Sequence, residues 1–197
     1  KIKVGFLTND LNVDFYVLDL IKHIQKSNLY SDPIIINSFK KKKSFLNNKN
    51  FTKKFRVFKL LDNLLIIFIL WLIKLIEKLN VKKKYPNYSK SFNLENLFDL
   101  HKINVDGVWS KNGLYLEFDK KELELISKEN FDCIIRCGDG ILKGKILNLP
   151  RFGILSFYHG DNRFNRGGPS GFWEVFKNEP STGFIIQRLT NQLNGGD

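Results

Sequence analysis

The pattern of apolar and polar positions changes its period twice near the N-terminus. Lys1–Thr8 is a short apolar run rich in β-forming residues, Asp14–Ile24 repeats apolar residues at helical spacing, and Pro33–Asn37 is apolar again. Short apolar runs are typical of buried strands, and the order strand, helix, strand is typical of parallel α/β sheets. We therefore expect a parallel sheet at the start of the chain.

The middle of the chain alternates between lysine-rich and strongly apolar segments. Phe39–Arg56 predicts a loop, Phe58–Leu79 has the spacing of a helix, and Asn80–Asn93 is polar and typical of turns. The uninterrupted apolar stretch Leu64–Ile73 is 10 residues long, whereas a transmembrane helix needs about 20. We therefore expect no transmembrane span and a helix that is buried or contacts a partner. An interfacial membrane helix is the alternative, because lysines lie on both sides.

Short apolar runs return in the second half of the chain. Gly107–Phe118 predicts a strand or hairpin, and Lys120–Lys128 predicts a helix. Phe131–Cys137 and Gly153–Phe157 predict two buried strands, with a helix over Ile141–Leu149 between them. These elements continue the α/β pattern of the N-terminal part.

Charge alone does not define a partner for this chain. The net charge of +12 is compatible with binding to nucleic acid or to an anionic membrane. The chain is also free of alanine and rich in Lys, Asn, Ile and Phe, which is typical of an AT-rich genome and raises lysine content without a functional demand. We expect no specific nucleic-acid partner, and tRNA stays open as an exception.

The two cysteines do not indicate a disulfide framework or a metal site. Cys133 and Cys137 would lie roughly 13 Å apart on one extended strand, beyond the reach of a disulfide. No histidine lies near them in sequence, so a zinc site is not expected. Buried free thiols and a cytoplasmic location are the prediction.

Glycines and one histidine place the candidate chemistry in the C-terminal half. Eleven of the fourteen glycines lie from Gly138 onward. Gly138, Gly140 and Gly144 follow a predicted strand and indicate a tight strand-to-helix turn rather than a dinucleotide fingerprint, which would follow the first strand. His159 directly follows another predicted strand, where an imidazole is suited to proton transfer near neutral pH.

Four motifs between Gly153 and Asp197 carry a family resemblance. GILSFYHGD, NRGGPSGFWE, STGFIIQRL and LNGGD resemble, in order and spacing, the formyltransferase domain family. Its members include methionyl-tRNA, glycinamide-ribonucleotide and amino-sugar formyltransferases. The resemblance implies a three-layer, Rossmann-like α/β fold, with a mostly parallel sheet and helices on both faces. It also implies one domain over residues 1–197, with a helical and loop insertion over about 40–118 and a truncated C-terminus.

The resemblance also implies the residues of a site. The catalytic Asn, His and Asp of the family fall on Ser156, Tyr158 and Asn194, and His159 lies beside them. Contacts to folate, made largely by the backbone, fall on Cys137, Gly138, Gly140, Ile141, Leu142, Gln192, Gly195 and Gly196. Contacts to the acceptor fall on Arg163, Arg166 and Gly167.

Together these positions imply a biosynthetic formyl transfer from 10-formyltetrahydrofolate to a small-molecule amine. The segment after the first strand, Thr8–Leu11, lacks the glycine-rich phosphate loop expected for a ribonucleotide amine, so an amino-sugar nucleotide is the preferred acceptor. Because Tyr158 and Asn194 replace the family's His and Asp, the first alternative is a relative that binds folate or a sugar nucleotide without transfer. A basic module that binds RNA or a membrane surface is the second.

Overall fold

A computed structural model describes residues 1–38, 56–87, 90–111, 113–158, 160 and 171–192. In chain order the elements are β1 (Val4–Thr8), β2 (Asn12–Asp14), α1 (Phe15–Lys26), β3 (Ile34–Ser38), α2 (Arg56–Lys84), β4 (Ser91–Asn93), β5 (Lys102–Val105), β6 (Gly107–Trp109), β7 (Tyr115–Phe118), α3 (Lys120–Ser127), β8 (Cys133–Cys137), β9 (Ile141–Leu142), β10 (Ile154–Tyr158), α4 (Phe172–Phe176) and β11 (Ile185–Arg188). The chain divides into two compact units, residues 1–40 with 92–197 and residues 41–91.

The first unit is built on a six-stranded sheet in the order β11-β10-β8-β1-β3-β5. Strand β1 is parallel to both β3 and β8, and the pairs β8–β10 and β3–β5 are parallel as well. Only the edge pair β10–β11 is antiparallel among these. The chain is therefore a mixed α/β protein with a mostly parallel central sheet, and the parallel sheet expected from the N-terminal pattern is confirmed.

Two separate cores form because neighbouring residues of a strand point to opposite faces of the sheet. Phe6 of β1 belongs to a core that contains Ile21 of α1, whereas Leu7 belongs to a core that contains Ile126 of α3. In α1, Val17, Leu18, Ile21 and Ile24 are buried, as the helical spacing predicts. Burying one such aliphatic side chain contributes about 1.5–3 kcal/mol, so both cores stabilise the sheet.

Two smaller sheets complete the first unit. Strands β2 and β4 pair with each other, and β6, β7 and β9 form a three-stranded sheet. The antiparallel pair β6–β7 confirms the hairpin predicted over Gly107–Phe118. The helices predicted over Asp14–Ile24 and Lys120–Lys128, and the strands predicted over Phe131–Cys137 and Gly153–Phe157, are present within a few residues as α1, α3, β8 and β10.

The helix predicted over Ile141–Leu149 is wrong. The amide of Ile141 donates to the Leu114 carbonyl at 2.8 Å, and that of Lys143 donates to the Leu116 carbonyl at 3.0 Å. These bonds make Ile141–Leu142 a strand that pairs with β7. Gly144, with a φ of 85°, then ends the extended segment, and only a short 3-10 helix follows at Lys145–Asn148. The glycines therefore form a strand-to-strand turn, not the expected strand-to-helix turn.

The second unit is dominated by α2, which is 29 residues long and includes the predicted helix Phe58–Leu79. The turn predicted over Asn80–Asn93 is partly wrong, because α2 continues to Lys84 and β4 begins at Ser91. Of the loop predicted over Phe39–Arg56, residues 39–55 lie outside the described residues. Side chains from 66 to 76 are exposed, so the helix is not buried within the chain there, and contact with a partner stays a prediction. In the described part of the chain, no helix is both long and apolar enough to cross a membrane.

Candidate functional site

A cavity of about 330 Å³ lies beside strands β8, β10 and β11. It is lined by residues 140–143, 156–158 and 187–192, together with Arg136 and Gly138. Its volume lies at the lower end of the range of small-molecule pockets, about 300–1,000 Å³. Three segments far apart in sequence thus surround one space in which a small molecule would fit.

A row of three polar residues crosses the sheet beside this cavity. Ser156 of β10 is in register with Arg136 on the parallel strand β8 and with Gln187 on the antiparallel strand β11. Directly opposite residues in a sheet have side chains only about 5 Å apart at the Cβ atoms and point to the same face. The row therefore places a guanidinium, a hydroxyl and an amide next to each other along the wall of the cavity.

Arg136 is the buried anchor of this row, with 4% of its surface exposed. Its Nη1 donates to the Leu7 carbonyl at 3.2 Å, and its Nη2 donates to Asn9 Oδ1 at 3.0 Å and to the Asp139 carbonyl. Burial lowers the pKa of Arg136 to about 10, so the side chain keeps its charge at neutral pH. The hydrogen bonds of Arg136 therefore connect the end of β1 to the turn that follows β8.

Gly138 makes room for that arrangement. A Cβ at Gly138 would lie 2.6 Å from Asn9 Oδ1 and 2.7 Å from Arg136 Nη1, closer than side-chain carbons approach such atoms. The same turn contains Gly140, whose φ of 83° favours glycine. The glycines of this turn are needed for close packing beside the cavity.

Two buried polar atoms in the row have no hydrogen-bond partner among the described residues. They are Arg136 Nε, a donor, and Gln187 Oε1, an acceptor. An unpaired buried polar atom costs about 1–3 kcal/mol. Both atoms are inaccessible to solvent, so they make the wall polar behind the cavity surface rather than offering groups that are open to a ligand.

The hydroxyl groups of β10 lie on the same side of the strand. Ser156 and Tyr158 are two residues apart, so their side chains share a face, and both residues are half-buried in the cavity wall. A Cβ at Gly160 would lie 2.8 Å from Cε1 of the Tyr158 ring, so the absence of a side chain at Gly160 lets the ring lie against it. The cavity is thus supplied with two hydroxyl groups from one strand.

The cavity carries positive charge. Arg136, Lys143 and Arg188 line it, whereas no Asp or Glu is found among its described lining residues. Lys143 Nζ lies 3.7 Å from the centre of the Tyr115 ring, a distance that fits a cation–π contact. Grouped positive charges in a concave site attract anions, so the cavity is suited to a ligand that bears carboxylates or phosphates.

The structure brings together seven of the site residues expected from the sequence. Gly138, Gly140, Ile141, Leu142, Ser156, Tyr158 and Gln192 all line the cavity. Cys137 is not among its lining residues; it packs against the core that contains α1, and burial raises the pKa of its thiol to about 12. His159, Arg163, Arg166, Gly167, Asn194, Gly195 and Gly196 lie outside the described residues.

Sequence reasoning missed Arg136, Lys143, Gln187 and Arg188 as lining residues. A signal for Arg136 was present, because a charged residue inside the apolar strand FDCIIRC is rarely buried without a specific role. Gln187 gave no comparable signal, since its place beside Ser156 depends on the pairing of two strands. In the described part of the chain, no group of three or more His, Cys, Asp or Glu residues could hold a metal ion.

The chain is thus a mixed α/β protein with an electropositive cavity whose volume suits a small molecule. No model of a known protein family matches the chain, and no curated protein matches it significantly. The likeness to formyltransferases therefore remains a hypothesis that depends on the motifs of the chain.

Proposed function

We propose that this chain is a Rossmann-like, formyltransferase-like protein that transfers a formyl group from 10-formyltetrahydrofolate to a small-molecule amine. An amino-sugar nucleotide is the preferred acceptor, and a cytoplasmic location is part of the proposal. One observation supports it above all. The residues that the motifs assign to folate and to catalysis come from three segments, and seven of them line one cavity of about 330 Å³.

The properties of the cavity support a folate-like ligand. A pterin ring carries hydrogen-bond donors and acceptors side by side, which suits a wall that contains the polar side chains of Arg136, Ser156 and Gln187. The turn after β8 presents backbone groups at Gly138 and Gly140. Glutamate carboxylates of the folate tail would be attracted by the cationic side chains of Lys143 and Arg188.

The reaction requires stabilisation of a developing negative charge. The amine nitrogen attacks the formyl carbon, and the carbonyl electrons move onto oxygen to give a tetrahedral oxyanion. The carbon–N10 bond then breaks, N10 takes up a proton, and the attacking nitrogen loses one. Ser156 and Tyr158 supply hydroxyl donors for the oxyanion, and Arg136 supplies a buried positive charge beside Ser156. The sequence motifs add His159 as the proton acceptor and Asn194 as a further hydrogen-bond donor.

Binding without transfer is the second candidate function. It is favoured by the absence of any carboxylate or imidazole among the described lining residues, because a proton acceptor for the amine is then missing from that part of the wall. Contacts made by backbone groups survive side-chain changes, so a folate pocket persists when the chemistry is lost. The two candidates share one ligand and differ only in turnover.

The test combines ligand binding with turnover. The chain is mixed with 10-formyltetrahydrofolate and amino-sugar nucleotides, donor binding is measured by calorimetry, and release of tetrahydrofolate is followed. We expect donor binding, and we expect Tyr158→Phe to lower turnover about tenfold or more, since an oxyanion donor contributes several kcal/mol. Tyr30→Phe removes the same hydroxyl outside the cavity lining and should leave turnover unchanged. Binding without turnover supports the second candidate, and no binding contradicts both.

A further inference from the structure

The net positive charge of this protein is carried entirely by its second unit. Residues 41–91 contain 14 of the 32 Lys and Arg residues but only 2 of the 20 Asp and Glu residues, a net charge of +12. The other unit contains 18 residues of each sign and is neutral. A composition bias acting along the whole chain would raise lysine in both units. The confinement instead indicates that the second unit meets a negatively charged partner.

A continuous exposed apolar surface lies in the same unit. In α2, eleven described apolar side chains between Ile66 and Leu79 are exposed, from 38% for Leu75 to 65% for Leu79. Phe68 and Trp71 stack on each other, with ring centres 6.0 Å apart. A helix with this much apolar surface in water is unfavourable, because each buried Å² of it would gain about 25 cal/mol. The exposed apolar surface of α2 therefore indicates contact with an apolar partner.

Charge and apolar surface are arranged along one helix. The uninterrupted apolar stretch Leu64–Ile73 lies in the middle of α2, and Arg or Lys stand at positions 56, 59, 74 and 78 on either side of it. The three lysines Lys82–Lys84 follow at the C-terminal end. An apolar segment bounded by basic residues at both ends favours contact with a bilayer surface, where the apolar side chains reach the acyl boundary and the lysines lie among the lipid phosphates.

The dimensions of α2 favour lying on a bilayer over crossing one. Its 29 residues extend for about 43 Å, but the uninterrupted apolar stretch of 10 residues covers only about 15 Å, half of the hydrocarbon thickness of about 30 Å. Lysines such as Lys74 and Lys83 can place their methylene groups along the apolar boundary and their ammonium groups among lipid phosphates. Neither end of the helix then has to enter the hydrocarbon.

Two other occupants fit these observations less well. A second copy of the chain would bring its own +12 unit against the first, and like charges at close range are repulsive. RNA would pair with the lysines but leave the apolar side chains uncovered, because phosphate contacts need no aliphatic surface. Only a bilayer, with anionic headgroups above an apolar interior, would both pair with the lysines and cover the apolar side chains.

We propose that α2 docks the protein on the surface of a bilayer rich in anionic lipid, with the apolar side chains of its middle in the acyl boundary and its flanking lysines at the lipid phosphates. The proposal is independent of the formyltransferase hypothesis. Its consequence is that any reaction in the cavity takes place beside a membrane.

Cosedimentation of the full chain with vesicles tests this proposal. One vesicle preparation contains one part phosphatidylglycerol to three parts phosphatidylcholine, and the other contains phosphatidylcholine alone. We expect binding to the anionic vesicles to be at least about tenfold stronger, because each lysine near an anionic surface contributes measurably to binding. The triple variant Lys74→Glu, Lys83→Glu, Lys84→Glu should weaken this binding at least about tenfold. Equal binding to both vesicle types would overturn the proposal.

Matched variants separate helix-specific docking from general effects of charge and hydrophobicity. Lys111→Glu, Lys121→Glu, Lys128→Glu makes the same change in net charge on exposed residues of the first unit and should change binding less than about twofold. Phe68→Ser with Leu72→Ser should weaken vesicle binding, whereas Phe152→Ser with Leu29→Ser, also exposed, should not. Circular dichroism confirms that each variant is folded.

The remaining outcomes identify the other occupants and contradict the proposal. If Phe68→Ser with Leu72→Ser leaves vesicle binding intact, and the protein binds a single-stranded RNA with steep salt dependence, then the second unit is an RNA-binding surface. If that variant instead abolishes a concentration-dependent dimer seen without vesicles, the apolar side chains of α2 join two copies of the chain. Loss of vesicle binding alone, with RNA binding absent and the protein monomeric, supports docking on lipid.

Discussion

At the scale of single residues, Arg136 links the first strand to the wall of the cavity through three hydrogen bonds. Substitution Arg136→Lys keeps the charge but cannot reproduce the planar set of donors that reaches Leu7, Asn9 and Asp139. We expect the free energy of unfolding to fall by about 2 kcal/mol, the scale of a lost hydrogen bond to a buried charged group, as measured by urea denaturation. Arg151→Lys, at an exposed arginine, is the control and should leave the free energy unchanged. Equal effects at both sites would contradict the anchoring role.

Two features disfavour a side chain at Gly140, and comparing two glycine-to-alanine substitutions separates their effects. The φ of 83° at Gly140 disfavours any side chain, and a Cβ there would lie only 2.5 Å from the Trp109 ring. Gly140→Ala should therefore lower the free energy of unfolding by both backbone strain, about 1–2 kcal/mol, and overpacking, about 1–3 kcal/mol. Gly113→Ala, at a φ of 70° with open space around it, should show the strain alone. Urea denaturation of both variants measures the difference between their free energies of unfolding. We also expect the fluorescence of Trp109 to change only for Gly140→Ala.

At the scale of elements, local patterns predicted most of the central sheet, whereas pairing between distant segments decided the rest. Strand β1, helix α1 and strand β3 follow directly from apolar runs and helical spacing in neighbouring residues. The segment Ile141–Leu149 has apolar residues that suit a helix, but bonds to Leu114 and Leu116 make its start a strand. Likewise, the row Arg136–Ser156–Gln187 depends on the register of β8, β10 and β11, which no single stretch of sequence contains.

The ends of several elements meet at Glu129, after α3. Lys3, before β1, donates to Glu129 Oε2 at 2.8 Å, and His101 Nε2, before β5, lies 3.1 Å from Oε1. The hydrogen bond from Lys3, and a smaller contribution from His101, lower the pKa of Glu129 below its ordinary value of 4.5. A lowered folded-state pKa stabilises the protein above pH 4.5, and this stabilisation is lost as the pH falls through the folded-state pKa.

We therefore expect Glu129→Gln to be less stable than the parent at about pH 7, with a difference that shrinks toward about pH 3. Urea denaturation at several pH values measures it. Glu124→Gln, at an exposed carboxylate 3.8 Å from Lys120, is the control and should show little dependence on pH. A difference for Glu129→Gln that stays constant with pH would show that packing, rather than the charge, is responsible.

At the scale of the whole molecule, the described hydrophobic cores and the net positive charge belong to different units. Neither hydrophobic core contains a residue of the segment 41–91, although that segment carries the whole net charge of +12. The α/β unit therefore has its own cores and a neutral composition. This division predicts that residues 41–90 can be replaced without unfolding the sheet.

Replacing residues 41–90 by a short Gly/Ser linker tests that division. Both cores are kept, and shortening the connection about fourfold lowers the entropic cost of loop closure by about 1 kcal/mol. We expect the shortened chain to unfold cooperatively in urea at a free energy within about 1 kcal/mol of the parent, to bind the same ligand in its cavity, and to lose binding to anionic vesicles. A second shortened chain that keeps α2 but replaces residues 41–54 should still bind vesicles, which assigns the loss to the helix. If the first shortened chain fails to fold, the neutral unit depends on the basic one for stability, and the division of the molecule into two independent parts is wrong.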